Sequence, residues 1–521
     1  MIDQAGAEQE AAQRPVKWGK VIDNRLCIAC HACTVACKAE HEVPLGVTRT
    51  YVKMVEVGEF PEVRRHFQVT RCNQCEDAPC VEACPTSAMF QRPDGIVDFD
   101  RDICIGCSAC IAACPYDAIY INPEHHSAEK CNFCAHRIDQ QLEPACVSVC
   151  PTQAIIVGDL NDPASSVSRL IARNKVDVRR PEKGTEPKLF YVDATPFTLV
   201  PGAAKQGSLQ MATQARGGPS QSEDRHTSGV PAAAALLGYD NAHKAPWDWR
   251  VSAYTWTKSL AAGIFLVFAL FRLADEPLGR WWEIMAASSA MAFLGLTGAI
   301  LIAHLSHPGR FYLILLRPQW RSWLARGAFI VVAYGAVLVV VLLLSVLKAG
   351  RAIDPLLGLT VPFAVLTAIY TAFLLGQSRG RDLWQNPLLP AHFGVQAALA
   401  GLAVLYITAT LKDADAGLTA HLAWGLTATL AANVVLVLAE LTMPHPTEMA
   451  AQAARNLVRG PYRFWYWGGL AIGGLLPLAL VSSGLAADIE QPLQAAAVMT
   501  LLGLFAQEHG YVQAGQSVPL S

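Results

Sequence analysis

Charge is scarce in this chain, and cysteine is missing from most of it. Asp, Glu, Lys and Arg together make up 16% of the 521 residues, and the formal net charge is −2. A balance so close to neutral gives no electrostatic footing for a nucleic-acid partner. No cysteine follows Cys150. A disulfide scaffold stapled throughout is thereby excluded, and such scaffolds are small secreted domains in any case. Met1 to Lys20 holds no apolar core of the signal-peptide kind, and Arg14 stands alone rather than in a twin-arginine pair. The expectation is an N-terminal part without its own export signal. A flavin fingerprint and a phosphate loop are also missing, so the substrate chemistry is expected elsewhere.

All sixteen cysteines lie between Cys27 and Cys150, in four groups of four. They are Cys27, Cys30, Cys33 and Cys37; Cys72, Cys75, Cys80 and Cys84; Cys104, Cys107, Cys110 and Cys114; and Cys131, Cys134, Cys146 and Cys150. The first and third groups share the C-x2-C-x2-C-x3-C spacing of bacterial ferredoxins, in which three cysteines wrap one cluster and the fourth reaches a second. Pro85, Pro115 and Pro151 follow the last cysteine of three groups, fixing the backbone dihedral as the chain leaves the site. The spacing predicts paired iron–sulfur clusters, and sixteen thiolates suffice for four 4Fe–4S cubanes. Four-cysteine zinc sites also use C-x2-C pairs, but continuous x2-x2-x3 runs followed by proline do not favour them. Thiols converging this closely would also clash as independent disulfides. The implied chemistry is electron transfer.

The stretches Cys72-Asn73-Gln74-Cys75-Glu76-Asp77-Ala78-Pro79-Cys80, Cys104-Ile105-Gly106-Cys107 and Ala113-Cys114-Pro115-Tyr116 resemble the four-cluster subunits of the molybdopterin oxidoreductases. So do Lys130-Cys131-Asn132-Phe133-Cys134 and the run from Pro144 to Thr152. The dimethyl sulfoxide and polysulfide reductase iron–sulfur subunits are the most similar in pattern, over about residues 18–200. The resemblance implies four ligand sets. One is Cys27, Cys30, Cys33 and Cys150, and its neighbour is Cys37, Cys131, Cys134 and Cys146. A third is Cys72, Cys75, Cys80 and Cys114, and the fourth is Cys84, Cys104, Cys107 and Cys110. Because Cys107 is present, the resemblance implies four 4Fe–4S clusters rather than a three-iron variant.

Beyond the cysteines the composition changes twice. Residues 201–243 are rich in Ala, Gly, Ser and Gln and read as a flexible linker. From about residue 251 come eight long apolar stretches: 251–273, 282–304, 325–347, 356–376, 389–411, 417–441, 463–484 and 490–507. Each approaches the length that crosses a bilayer as a helix. The expected architecture is an α+β ferredoxin-like iron–sulfur domain (18–200), the linker (201–243), and an all-α membrane domain of eight transmembrane helices (244–521). An even number of spans puts both ends of the membrane domain on one side. The loops on that side carry Lys244, Arg250, Arg310, Arg317, Arg321, Arg326, Arg379, Arg381, Arg455, Arg459 and Arg463. The other side carries Arg272, Arg280, Lys348, Arg351 and Lys412. The positive-inside rule then predicts the iron–sulfur domain on the cytoplasmic face of the inner membrane.

The run from Tyr254 to Gly263, and the segment His307-Pro308-Gly309-Arg310-Phe311 to Arg321-Ser322-Trp323, resemble the haem-free NrfD-type anchor of polysulfide reductase, over about residues 245–505. Its fusion to the iron–sulfur part departs from the usual separate subunits. Polar side chains in membrane spans are costly and suggest function. Lys258, His304, His392 and Glu440, with Arg310 just beyond the second span, are expected at one depth near the iron–sulfur side. A quinone pocket using Lys258, His304, Arg310 and His392 is the expectation. The plain alternative has Lys258 snorkelling and the histidines in wet interfacial loops, and His304 with His392 could also ligate a haem.

With no molybdopterin-binding domain in the sequence, substrate chemistry and its catalytic residues are expected on a separate molybdopterin-containing subunit. Electrons would then pass between that subunit and membrane quinone. Sulfite, dimethyl sulfoxide, polysulfide or tetrathionate would be the compound metabolised, and cytoplasmic orientation favours a sulfite-oxidising type. The alternative is a redox-driven ion-translocating module of a larger respiratory complex, although few acidic residues are read as lying mid-membrane.

Overall fold

The computed structural model describes residues 15–58, 61–206, 235–241, 245–274, 276, 278–348, 353–487 and 489–520. The chain divides into two compact units, residues 1–246 with 519–521, and residues 247–518.

The first unit is built on small sheets. β1 (Trp18–Asp23) is one of two inner strands of a four-stranded sheet, between β8 (Ile155–Asp159) and β10 (Leu189–Val192), with β9 (Val176–Asp177) beyond β10 at an edge. It runs antiparallel to β8 and parallel to β10. Alternation along β1 splits its side chains between two cores. Val21 packs with Val167 and Val192, and Ile22 packs with Cys33, Val52, Cys146 and Tyr191. Four cysteines thus pack on one face of the sheet, Cys33 and Cys146 with Cys27 and Cys150 beside them.

A long hairpin of β2 (Thr50–Val57) and β3 (Arg64–Arg71) forms a second sheet. Two short hairpins, β4 (Met89–Gln91) with β5 (Val97–Phe99) and β6 (Ile119–Ile121) with β7 (Ala128–Lys130), flank the central cysteine groups. Short helices are set within the cysteine runs, including Ala32–Glu40 and Ala109–Ala113. This α+β arrangement agrees with the expected class.

The stretch expected as linker behaves differently at its edges. β11 (Lys205–Gln206) and β12 (Ala235–Tyr239) join the second sheet, with β12 antiparallel to β2. The Ala-Gly-Ser composition hides a short apolar run, Ala235-Leu236-Leu237, that can add to an open sheet edge. The centre of the linker, 207–234, lies outside the described residues.

The second unit is helical. Among the described residues, seven helices are long and apolar enough to cross a membrane: Trp249–Leu273, Arg280–His304, Trp323–Val346, Pro355–Gln377, Leu389–Leu411, Ala416–Thr442 and Arg463–Ala487. The eighth expected span forms a 26-residue helix, Glu490–Gly515, that continues past the apolar stretch. Its extra length brings Glu508 and His509 into the helix. The first and fifth spans are the most enclosed. They cross at Gly263 and Gly401, where a Cβ on Gly263 would stand 1.7 Å from the Ala397 carbonyl oxygen. Only a missing side chain permits that approach. The seventh span contains a π turn at Ala471–Leu475, and its Gly473 meets Gly503 of the last helix. A short surface helix not expected from hydropathy, Glu448–Val458, precedes that span and is capped by Thr447.

Candidate iron–sulfur sites and a buried polar network

The cysteine loops repeat in their backbone as well as their spacing. Ala29 and His31 in the first run have φ of 55° and 60°. Gly106 and Ser108, at the matching positions of the third, have 69° and 61°. A non-glycine residue in this left-handed region costs about 1 kcal/mol, and both runs carry such residues at matching positions. His31 and Ser108 each begin a helix that carries further cysteines of its run.

Thiols distant in sequence come together. Cys27 interacts electrostatically with Cys30 and Cys150, and Cys33 with Cys27 and Cys150. Cys131 interacts with both Cys37 and Cys134, and Cys146 does so as well. Cys72 and Cys114 both neighbour Cys75 and Cys80. Cys84 and Cys104 neighbour Cys107 and Cys110. Interactions of Cys33 with Cys146, and of Cys110 with Cys80, link the groups into two pairs. Burial pushes most of these thiols up, Cys37 and Cys75 to about 12.

Whether these residues fit a cluster is answered by space and donors. Cys84, Cys104, Cys107 and Cys110 ring a small hollow, with Thr86 and Gly106 in its wall. Backbone N–H groups aim at sulfur: Met89 at Cys84 (3.4 Å), Ala128 at Cys104 (3.4 Å) and Ala154 at Cys150 (3.3 Å). Buried thiols, a hollow among four of them and donors on the sulfurs are what a cubane requires. Spacing alone did not reveal the cations around one group: Arg71 donates to Cys146 Sγ at 3.0 Å, and Lys20 stands 3.9 Å from that sulfur. Both come from strands remote from Cys146.

In the membrane unit the expected quinone residues separate. Lys258 is fully buried, so it does not snorkel. Its Nζ donates to the Ala368 carbonyl and lies over the rings of Tyr370 and Phe393, at 5.2 and 4.8 Å. His392 Nδ1 is 2.9 Å from Glu440 Oε1, and its Nε2 is 3.2 Å from Asn433 Oδ1. Asn433 in turn donates to Gln507 at 3.3 Å. Glu508 interacts electrostatically with both Lys258 and His392, and its Oε2 accepts from Thr255. Its Oε1 is buried without a hydrogen-bond partner among the described residues. His304 instead meets Asp248 at 3.4 Å, and Arg310 lies in the turn Pro308–Arg310. Glu508 was missed because the apolar stretch ends at 507, one residue before it.

An open cleft of about 630 Å³ lies beside this network, lined by Asp382, Asn386, Glu440, His445, Tyr466 and Tyr511, among others. Glu440 thus faces the cleft and holds His392 behind it. None of Lys258, His304, Arg310 and His392 is in its lining; His392 touches it only through Glu440.

Comparison with known proteins assigns both units. Residues 63–160 match the 4Fe-4S dicluster domain, and residues 239–519 match the family described as polysulphide reductase, NrfD. One subunit of the tetrathionate reductase of Salmonella typhimurium is 43% identical over 180 residues, covering 34% of this chain and 72% of that protein. One chain of the polysulfide reductase of Wolinella succinogenes is 43% identical over 179 residues, covering 34% of this chain and 94% of that protein. A putative dimethyl sulfoxide reductase iron–sulfur subunit of Halobacterium salinarum is 40% identical over 206 residues, covering 34% and 79%. The chain therefore belongs to the iron–sulfur electron-transfer subunits of this reductase group and, in its second half, to the NrfD family: it is a multi-pass membrane protein that joins a cluster-bearing domain and its anchor in one polypeptide.

Proposed function

We propose that this chain relays electrons through four 4Fe–4S clusters between a molybdopterin-bearing catalytic subunit and quinone in the inner membrane. The ligand sets are Cys27, Cys30, Cys33 and Cys150; Cys37, Cys131, Cys134 and Cys146; Cys72, Cys75, Cys80 and Cys114; and Cys84, Cys104, Cys107 and Cys110. The observation that carries this reading is the gathering of thiols across the sequence into these groups. Once bound, the clusters supply one-electron transfer. The chain's own residues bury the thiolates, donate to their sulfurs and exclude water.

The quinone head group occupies the cleft bordered by Glu440. There Glu440 takes or returns the proton of a quinol hydroxyl, and His392 holds the Glu440 carboxylate in position. Of the four residues expected at a quinone pocket, His392 has a part in this reading through its bond to Glu440, and Lys258, His304 and Arg310 have none. The relatives' names favour a sulfur compound as the substrate of the complex. The excess of Lys and Arg in loops on one side supports a cytoplasm-facing iron–sulfur domain.

Iron analysis and quinol turnover test the proposal together. About sixteen irons per chain are expected for four cubanes, and Glu440→Gln should lower quinol-linked turnover about a hundredfold with iron unchanged. Twelve irons or fewer in fully assembled protein would refute the cluster count, and undiminished turnover in Glu440→Gln would refute the quinone site. A second reading, ion translocation, is favoured by the enclosed Lys258 and Glu508. Sealed vesicles turning over quinol would then move protons in the wild type and not in Glu508→Gln.

A further inference from the structure

The sixteen thiols do not sit in equal fields. Cys146 Sγ has Arg71 Nη1 at 3.0 Å and Lys20 Nζ at 3.9 Å, whereas the charged neighbours of Cys110 are other thiols. Two cations therefore converge on one sulfur of the Cys37, Cys131, Cys134 and Cys146 group.

Their geometry is firm. Arg71 ends β3 and is 2% exposed, and Lys20 lies in the inner strand β1 and is 3% exposed. Lys20 Nζ is held 4.0 Å above the Phe133 ring, next to Cys134 in the chain. Arg71 Nη1 donates to Cys146, whereas its Nε and Nη2 are buried without a hydrogen-bond partner among the described residues. Buried guanidinium donors are costly unless an acceptor meets them. Bridging sulfides of a cluster in this group would be such acceptors. His41 Nε2 adds a further contact, 3.2 Å from Cys134 Sγ. The cations that stand against this group are Arg71 and Lys20.

Reduction adds one electron and one negative charge, which nearby fixed cations stabilise. We propose that Arg71 and Lys20 make the cluster held by Cys37, Cys131, Cys134 and Cys146 the highest-potential centre of the chain, the first to be reduced at equilibrium. This rests on the ligand sets proposed above. Arg71 also interacts with Cys33 of the adjoining group, so it acts on two neighbouring centres, whereas Lys20 acts on Cys146 and Cys134.

The test is a dithionite titration of the full-length, cluster-loaded protein, followed by electron paramagnetic resonance. Cys134→Ser identifies the signal of this group, and that signal should be the first to appear in the wild type. Lys20→Met should lower its reduction equilibrium about tenfold, or 59 mV for one electron. Arg71→Gln should lower it at least as far and also lower a second signal, whereas Arg71→Lys should restore most of the loss. If Cys134→Ser alters only a signal that appears late, or if Lys20→Met leaves the first signal unmoved, the tuning proposal is overturned. If Cys134→Ser leaves every signal intact, the ligand set itself is wrong. Should Arg71→Gln lose iron, the Lys20→Met result alone decides.

Discussion

The two units bury charge in opposite ways. In the cluster-bearing unit buried ions are common and richly partnered. Glu129, fully buried, accepts from Arg49 at 2.8 Å, Asn122 at 3.0 Å and Tyr120 at 3.1 Å, and pairs with Arg101. Lys130, equally buried, donates to the carbonyls of Val97 and Cys131. Irregular loops leave many backbone groups free to serve side chains in this way. In the membrane unit nearly every carbonyl is already taken by its own helix. Lys258 must share one with the fourth span, lean on two aromatic rings and face Glu508 from another helix. The difference teaches that an aqueous domain can surround a cofactor with charge cheaply, whereas a membrane domain admits charge only where several helices converge.

Substitutions can break this contrast. The largest effect is expected in the first unit: Cys110→Ala should abolish electron transfer and lower iron from about sixteen to about twelve per chain. Iron analysis and quinol turnover would check it, and retention of full iron content would remove Cys110 from its ligand set. Next comes Lys258→Met, which leaves Glu508 buried without its cation and should cost about 3 kcal/mol. Thermal unfolding in detergent should show most of that loss recovered in the Lys258→Met/Glu508→Gln double variant; additive losses would mean the two residues do not act as a pair. A smaller effect, about 1 kcal/mol, is expected from Tyr334→Phe, because the Tyr334 hydroxyl donates to the Ala261 carbonyl at 2.9 Å. The same unfolding measurement applies, and an unchanged transition would show that this bond contributes nothing net. Smallest of all is Arg65→Gln, which removes an exposed pair with Glu56 on the β2–β3 hairpin. A shift within about 0.5 kcal/mol is expected, and a larger one would make this hairpin as sensitive as the buried sites.

Legibility followed the same division. Cysteine spacing repeats locally, so both ferredoxin-type runs were visible, and the structure adds that they share left-handed residues at matching positions. Apolar spans were visible for the same reason, since length and hydropathy are local properties. Their ends were less visible: the last helix runs past its apolar stretch to Gly515, and the first begins at Trp249 because Asp248 caps it. The edges of the Ala-Gly-Ser segment also escaped, because pairing with β2 depends on an open sheet edge and not on composition. Of the polar residues read as a quinone site, Lys258 and His392 meet around Glu508, whereas His304 turns to Asp248.

By itself, then, the sequence determined the number of thiols, their grouping into runs, and the succession of a cluster domain and apolar helices. Each of these is written in spacing or composition within a few dozen residues. Tertiary structure alone decided that Arg71 and Lys20 meet at Cys146, and that Glu508 faces Lys258. Those contacts join residues far apart in the chain, through strand pairing and helix crossing. The physical reason is that burial makes such charges strong by excluding water, and which charges are buried together is settled only when the sheets and helices have packed.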